Sequence, residues 1–149
     1  MQASEVLPDH HRTCDDIFAD AEKSAMAGRW PECAQSFGRF RRQMAAHFST
    51  EEQVLFPAFE AASGSSMGPT QMMRMEHAQM NTLMRMLDAT VAACDRDGFA
   101  GAADTLLIMM QQHNMKEENI LYPMCDRALS GQPLPLRDEL AKRAEACPT

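Results

Sequence analysis

A chain of 149 residues, 45% hydrophobic and 23% charged, has the size and composition of one globular domain with its own core. Its net charge of −7 argues against nucleic acid and anionic membrane surfaces as partners. Five cysteines, an odd number with no C-x-x-C, exclude a disulfide framework and speak against a thiolate zinc site; no apolar run spans a bilayer and the N-terminus does not read as a signal peptide, so the expected location is a reducing cytoplasm.

Helix A is expected from Pro8-Asp9, a proline and an acid at a first turn, to about Ala27, where Gly28 stops it. Helix B starts at Pro31-Glu32 and carries Phe37, Phe40, Met44, His47, Glu51 and Leu55, with Pro57 placed to kink or end it. Ser63 to Pro69 is a loop by composition. Helix C covers about Thr70 to Cys94 and ends at Asp95-Arg96-Asp97-Gly98. Helix D runs from about Ala100 to Ala128, with Pro123 placed as Pro57 is in helix B. A break at Ser130–Pro135 precedes a short helix, about Leu136 to Ala146, packed on the outside.

Apolar residues follow the three-to-four spacing throughout, and no strand alternation occurs. The expected fold is all-α: an up-down-up-down antiparallel four-helix bundle with a short extra C-terminal helix, one domain over residues 1–149 with the bundle at about 8–128. The fourteen methionines read as packing between helices.

Helices B and D carry the same motif. His47-Phe48-Ser49-Thr50-Glu51-Glu52-Gln53-Val54-Leu55-Phe56-Pro57 returns sixty-six residues later as His113-Asn114-Met115-Lys116-Glu117-Glu118-Asn119-Ile120-Leu121-Tyr122-Pro123. Each reads H-x-x-x-E-E-x-[VI]-L-[FY]-P, and the His and first Glu share a helix face. His11 lies thirty-six residues before His47, and His77 thirty-six before His113; a matching apolar stripe follows each, Cys14, Ile17, Phe18, Ala21 and Met80, Leu83, Met84, Leu87. The chain is therefore two copies of one unit. In an antiparallel bundle the four histidines and two glutamates come level in one interior layer.

Imidazole and carboxylate donors suit iron, manganese and zinc. Six such residues exceed one tetrahedral zinc and suit two octahedral ions. Each unit gives two histidines to one ion, Glu51 and Glu117 bridge them, and open positions remain for solvent and a small ligand. The predicted ligands are His11, His47, Glu51, His77, His113 and Glu117; no catalytic side chain is singled out. His10 is assigned to the exposed face, because His11 keeps phase with His77. Tyr122, Cys14 and Met80 are assigned to packing.

Asp9-His10-His11, Glu76-His77 and the two H-x-x-x-E-E motifs resemble the hemerythrin family, in particular bacterial hemerythrin-like HHE cation-binding domains, over residues about 8 to 126. The resemblance implies a non-haem di-iron centre, oxo- or hydroxo- and carboxylate-bridged, with the six residues above as ligands. Oxygen-carrying hemerythrins have a further histidine one turn after the one matching His77; here that position is Asn81, with Asp15 at the equivalent place after His11. Their last carboxylate is an Asp five residues after the histidine, whereas Glu117 is four after His113. Both metals are accordingly expected to have similar, open shells, and a mononuclear iron form becomes possible. Ferritin-like di-iron bundles use Glu-x-x-His, carboxylate first and three apart, which this spacing rejects.

The expected function is binding or sensing of a small diatomic ligand or peroxide, in oxidative or nitrosative stress or in iron homeostasis. The alternatives are a peroxidase- or oxidase-like enzyme, an iron donor for iron–sulfur repair, and a metal-stabilised interaction bundle. Repair ranks lower, since repair proteins of that kind usually carry an additional N-terminal cysteine-bearing domain for which this sequence shows no counterpart.

Overall fold

The structure is a computed structural model that describes residues 2–64 and 68–146; part of the expected Ser63–Pro69 loop and Cys147 lie outside them. Among the described residues the chain is all-helical and holds no strand. Four long helices, α1 (Ala3–Met26), α2 (Trp30–Thr50), α4 (Pro69–Ala92) and α5 (Arg96–Lys116), build the body, and α3 (Phe56–Ser63), α6 (Tyr122–Ala128) and α7 (Leu136–Ala146) complete it. Helix α1 packs on α2 and α5, α4 on α5 and α2, and α7 lies against α2 and α1. Leu136 and Leu140 bury the inner face of α7, and Arg143 ties it to Ser49 and Gln53 of the α2 run.

Helix α1 begins five residues before the expected start, and Pro8 lies inside it. Proline removes one hydrogen bond from a helix interior, but here burial outweighs it. Ala3, Val6 and Leu7 are all buried against Leu55, Phe56 and Cys125, and the Ala3 N–H donates to Asp126 Oδ1 at 2.9 Å. Helix α5 also starts early, at Arg96, because the Asp95 carboxylate caps it, accepting from the Gly98 N–H at 3.0 Å. The methionines divide: Met44, Met73, Met80, Met84 and Met110 are core, whereas Met26, Met72, Met75, Met86 and Met115 are exposed. The packing expectation therefore holds for the first group and for Met109 and Met124, which pack partly buried against the core, and not for the exposed five.

The first long helix of each repeat ends the same way. After α1 the Arg29 N–H reaches back to the Ser24 carbonyl at 2.9 Å, with Gly28 at φ +73°. After α4 the Asp95 N–H reaches the Thr90 carbonyl at 2.9 Å, but the left-handed position is Cys94, at φ +53°. A side chain is disfavoured there and glycine is not. Cys94→Gly is expected to stabilise the fold by about 1 kcal/mol, measured by urea denaturation; unchanged or lower stability would show that the turn carries no strain.

The core is two apolar slabs with a polar layer between them. One is built on Phe18, Phe37, Phe40, Met84 and Leu106, the other on Leu7, Leu55, Phe56, Leu121 and Leu129. Along every long helix the histidines fall between the two slabs, as His11 does between Leu7 and Cys14, or His77 between Met73 and Met80.

Candidate metal centre

The six predicted residues do meet in this layer, and all six are buried. They form two sets of four: His11, His47, Glu51 and Glu117, and Glu51, His77, His113 and Glu117. Within each set, one donor atom from every residue lies within 4.8 Å of the others. Both glutamates belong to both sets, and each repeat unit contributes its own histidine pair.

The backbone changes register at each glutamate. Glu51–Leu55 and Glu117–Leu121 are π turns, in which the Phe56 and Tyr122 N–H groups bond to the Glu51 and Glu117 carbonyls five residues back. Such turns recur at functional sites. They accommodate Pro57 and Pro123 just beyond, so each helical run continues, into α3 and α6. Pro57 cannot donate to the Glu52 carbonyl, and Arg74 Nη1 donates to it instead at 3.2 Å.

The π turn also brings in a residue assigned above to packing. Five residues of regular α-helix rotate a side chain roughly 140° away from its starting face; the wider turn returns Tyr122 to the face of Glu117. The Tyr122 hydroxyl donates to Glu51 Oε2 at 2.6 Å and stands 2.9 Å from Glu117 Oε1. His11 Nε2 and His47 Nε2 are each 3.3 Å away. It touches every member of the first set.

Each histidine is held from behind through Nδ1. His11 bonds Glu118 at 2.7 Å, His77 bonds Glu52 at 2.6 Å and His113 bonds Glu76 at 2.7 Å. His47 is different: its Nδ1 is 2.8 Å from His10 Nδ1, and His10 Nε2 is 2.8 Å from Gln43 Oε1. His10 is therefore no exposed residue. With His47 Nε2 free to bind, His47 Nδ1–H donates to His10, and His10 Nε2–H donates to Gln43. Phe48 stacks on the His77 ring at 3.9 Å and fixes its plane.

The charges follow from burial and these bonds. Burial alone would keep His77 neutral, but contact with Glu51 and the bond to Glu52 outweigh it and raise its pKa to about 9. His11 and His113 are raised in the same way against burial, chiefly by Glu117. His47 has no carboxylate behind it, and burial takes it down to about 3 despite Glu51. Burial, then the neighbouring Glu51 charge, raises Glu117, while the histidines hold Glu51 well below the usual carboxylate range against its own burial.

The donor set fits a metal. His77 Nε2, His113 Nε2, Glu51 Oε1 and Glu117 Oε2 are buried and make no well-aligned hydrogen bond among the described residues, although His77 Nε2 and Glu51 Oε1 stand 3.1 Å apart. Buried polar atoms are normally paired, and four of them here converge in the second set. Imidazole nitrogens oriented by a carboxylate behind them are the usual arrangement around a bound ion. The four described cysteines are free and none belongs to either set.

The chain matches the family described as the hemerythrin HHE cation-binding domain over residues 2–125. It belongs to the hemerythrin family. This hemerythrin-family chain is also similar to curated iron–sulfur cluster repair proteins named YtfE. The relative from Escherichia coli O81 (strain ED1a) is 30% identical over 99 residues, covering 60% of this chain and 44% of the relative. Those from Escherichia coli O1:K1 / APEC and Escherichia fergusonii are 29% identical with the same coverage. The chain thus matches less than half the length of these relatives. No solved structure matches it. No helix among the described residues is long and apolar enough to cross a membrane.

Proposed function

We propose that the chain is a single hemerythrin-like domain over residues 1–149, with its four long helices in up-down-up-down order. In this reading it holds two iron ions and binds or senses a small ligand, oxygen, nitric oxide or peroxide, in the cytoplasm. His11 and His47 hold one ion, His77 and His113 the other, and Glu51 and Glu117 serve both. Iron in such a site supplies redox-active positions open to a small molecule.

The observation that carries the small-ligand reading is burial. Each of the six donor side chains belongs to a residue 6% exposed or less, and Glu51 and Glu117 are fully buried. A substrate of ordinary size cannot reach them without opening the bundle. A cavity of about 260 Å³, lined by Leu55, Cys125 and Leu129 among others, lies on the side of the layer where α6 and the N-terminus of α1 meet. Neither Tyr122 nor any of the six donors lines it.

The test is optical. Protein loaded with ferrous iron without air is expected to change its visible spectrum on addition of oxygen or nitric oxide; a loaded protein indifferent to both defeats the ligand-binding reading. The repair role for which these relatives are named favours a second reading, an iron donor in iron–sulfur cluster repair. Transfer of iron from the loaded chain to an iron-depleted iron–sulfur protein, faster than from free iron, would select it.

A further inference from the structure

We propose that the two halves of the centre are unequal by construction: the half built on His77 and His113 takes up its metal ion first and more tightly, and Tyr122 and His10 set that order. The inference rests on the metal-centre reading above and departs from the expectation of two similar shells.

Two observations carry it, and each breaks the internal repeat at one position. The first is Tyr122. Its hydroxyl bonds both shared glutamates from the His11–His47 side and lies 3.3 Å from each of those histidines. The repeat partner of Tyr122 is Phe56, whose ring lies near-parallel to His77 with centroids 6.0 Å apart and offers no hydroxyl. An ion entering the first half must take bonds from the Tyr122 hydroxyl; an ion entering the second meets no hydroxyl, only the His77–Glu51 and His113–Glu117 contacts at 3.1 and 3.3 Å, which have counterparts in the first half.

The second observation is His10. Its repeat partner is Glu76. Glu76 backs His113 with a carboxylate, itself anchored by Lys116 Nζ at 2.5 Å. His10 backs His47 with an imidazole that leads only to the Gln43 amide. A carboxylate behind a histidine makes its free nitrogen the better donor, and residues in that position typically change metal affinity about 10–100-fold. Both differences weaken the same half.

The experiment is titration of the metal-free chain with cobalt(II) chloride, followed by calorimetry and by the visible absorption of the bound ion. Two steps, about 10–100-fold apart in dissociation constant, are expected in the parent protein. His47→Ala should remove the weaker step and leave the tighter one. Tyr122→Phe and His10→Glu, each copying the other repeat, should each bring the steps closer, and the double variant should merge them. Far-UV circular dichroism and elution volume establish that each variant is folded, and the two substitutions act from different helices, so one misfolded variant leaves the other to decide. Uptake of two ions in a single step, separated steps that neither substitution moves, or loss of the tighter step in His47→Ala would overturn the inference while leaving the di-metal reading intact. No uptake of cobalt or iron by the parent would overturn both.

Discussion

Glu51→Ala is expected to remove both ions together rather than one. Glu51 is a member of both sets. One of its oxygens lies 3.1 Å from His77 Nε2, and the other is 3.4 Å from His47 Nε2 and accepts from Tyr122. Truncation therefore takes a donor from each half. Its effect on the metal-free protein is smaller and of two signs. A buried carboxylate with its desolvation cost disappears, while the Tyr122 hydroxyl and two imidazoles lose a partner, at about 1–3 kcal/mol for a group left unsatisfied. The large loss is in the increment that metal adds. At a free metal concentration 1,000 times the dissociation constant that increment is about 4 kcal/mol, or about 8–16 °C in Tm for a chain of this size. Melting curves with and without metal, beside metals per chain, measure it. The parent should gain on loading and the variant should not. A variant that keeps one ion per chain would mean that Glu51 serves one half alone.

The six donors were legible because α-helical spacing holds up to each glutamate. His47 to Glu51 and His113 to Glu117 are one turn, and the repeat unit fixes His11 and His77. The sequence stops being readable where that spacing fails. Tyr122 is five residues past Glu117, off the ligand face in any regular helix, and only the π turn brings it round. A signal was available: a Pro two residues into the next helical segment, twice, right after the motif. His10 was misplaced for another reason. Two adjacent histidines lie 100° apart on a helix, and the core phase belongs to His11; but a residue flanking the buried face still reaches its neighbours, here His47 and Gln43 of α2. Comparing the repeats would have pointed to it, since His10 and Glu76 are both polar and both one before a ligand. The expected start of α1 follows the helix-start preference of Pro8, and tertiary burial of Val6 and Leu7 overrides it.

Raising the pH from 6.5 to 9 is expected to destabilise the metal-free protein and to strengthen metal binding. His77 carries the argument. Its pKa rises from 6.5 to about 9 on folding, so its proton stabilises the folded state fully below pH 6.5, and that contribution is lost as the pH climbs through about 9. The loss is on the order of 3 kcal/mol. His11 and His113 shift in the same direction and add to it. His47, held at about 3, is neutral in the folded protein throughout the window; only its unfolded form still loses protons just above pH 6.5, which adds a small slope of the opposite sign. A metal ion needs the same Nε2 atoms without their protons, so loading at neutral pH must expel them. The loaded protein should therefore show a flat stability across this range where the metal-free protein declines. Urea denaturation of both forms at half-unit pH steps tests the slope, and calorimetry of cobalt binding in buffers of different ionisation enthalpy counts the protons released. A metal-free protein that gains stability between pH 6.5 and 9 would mean that the carboxylates around His77 do not hold its proton. Metal binding without proton release would mean that the ion is bound somewhere other than this layer.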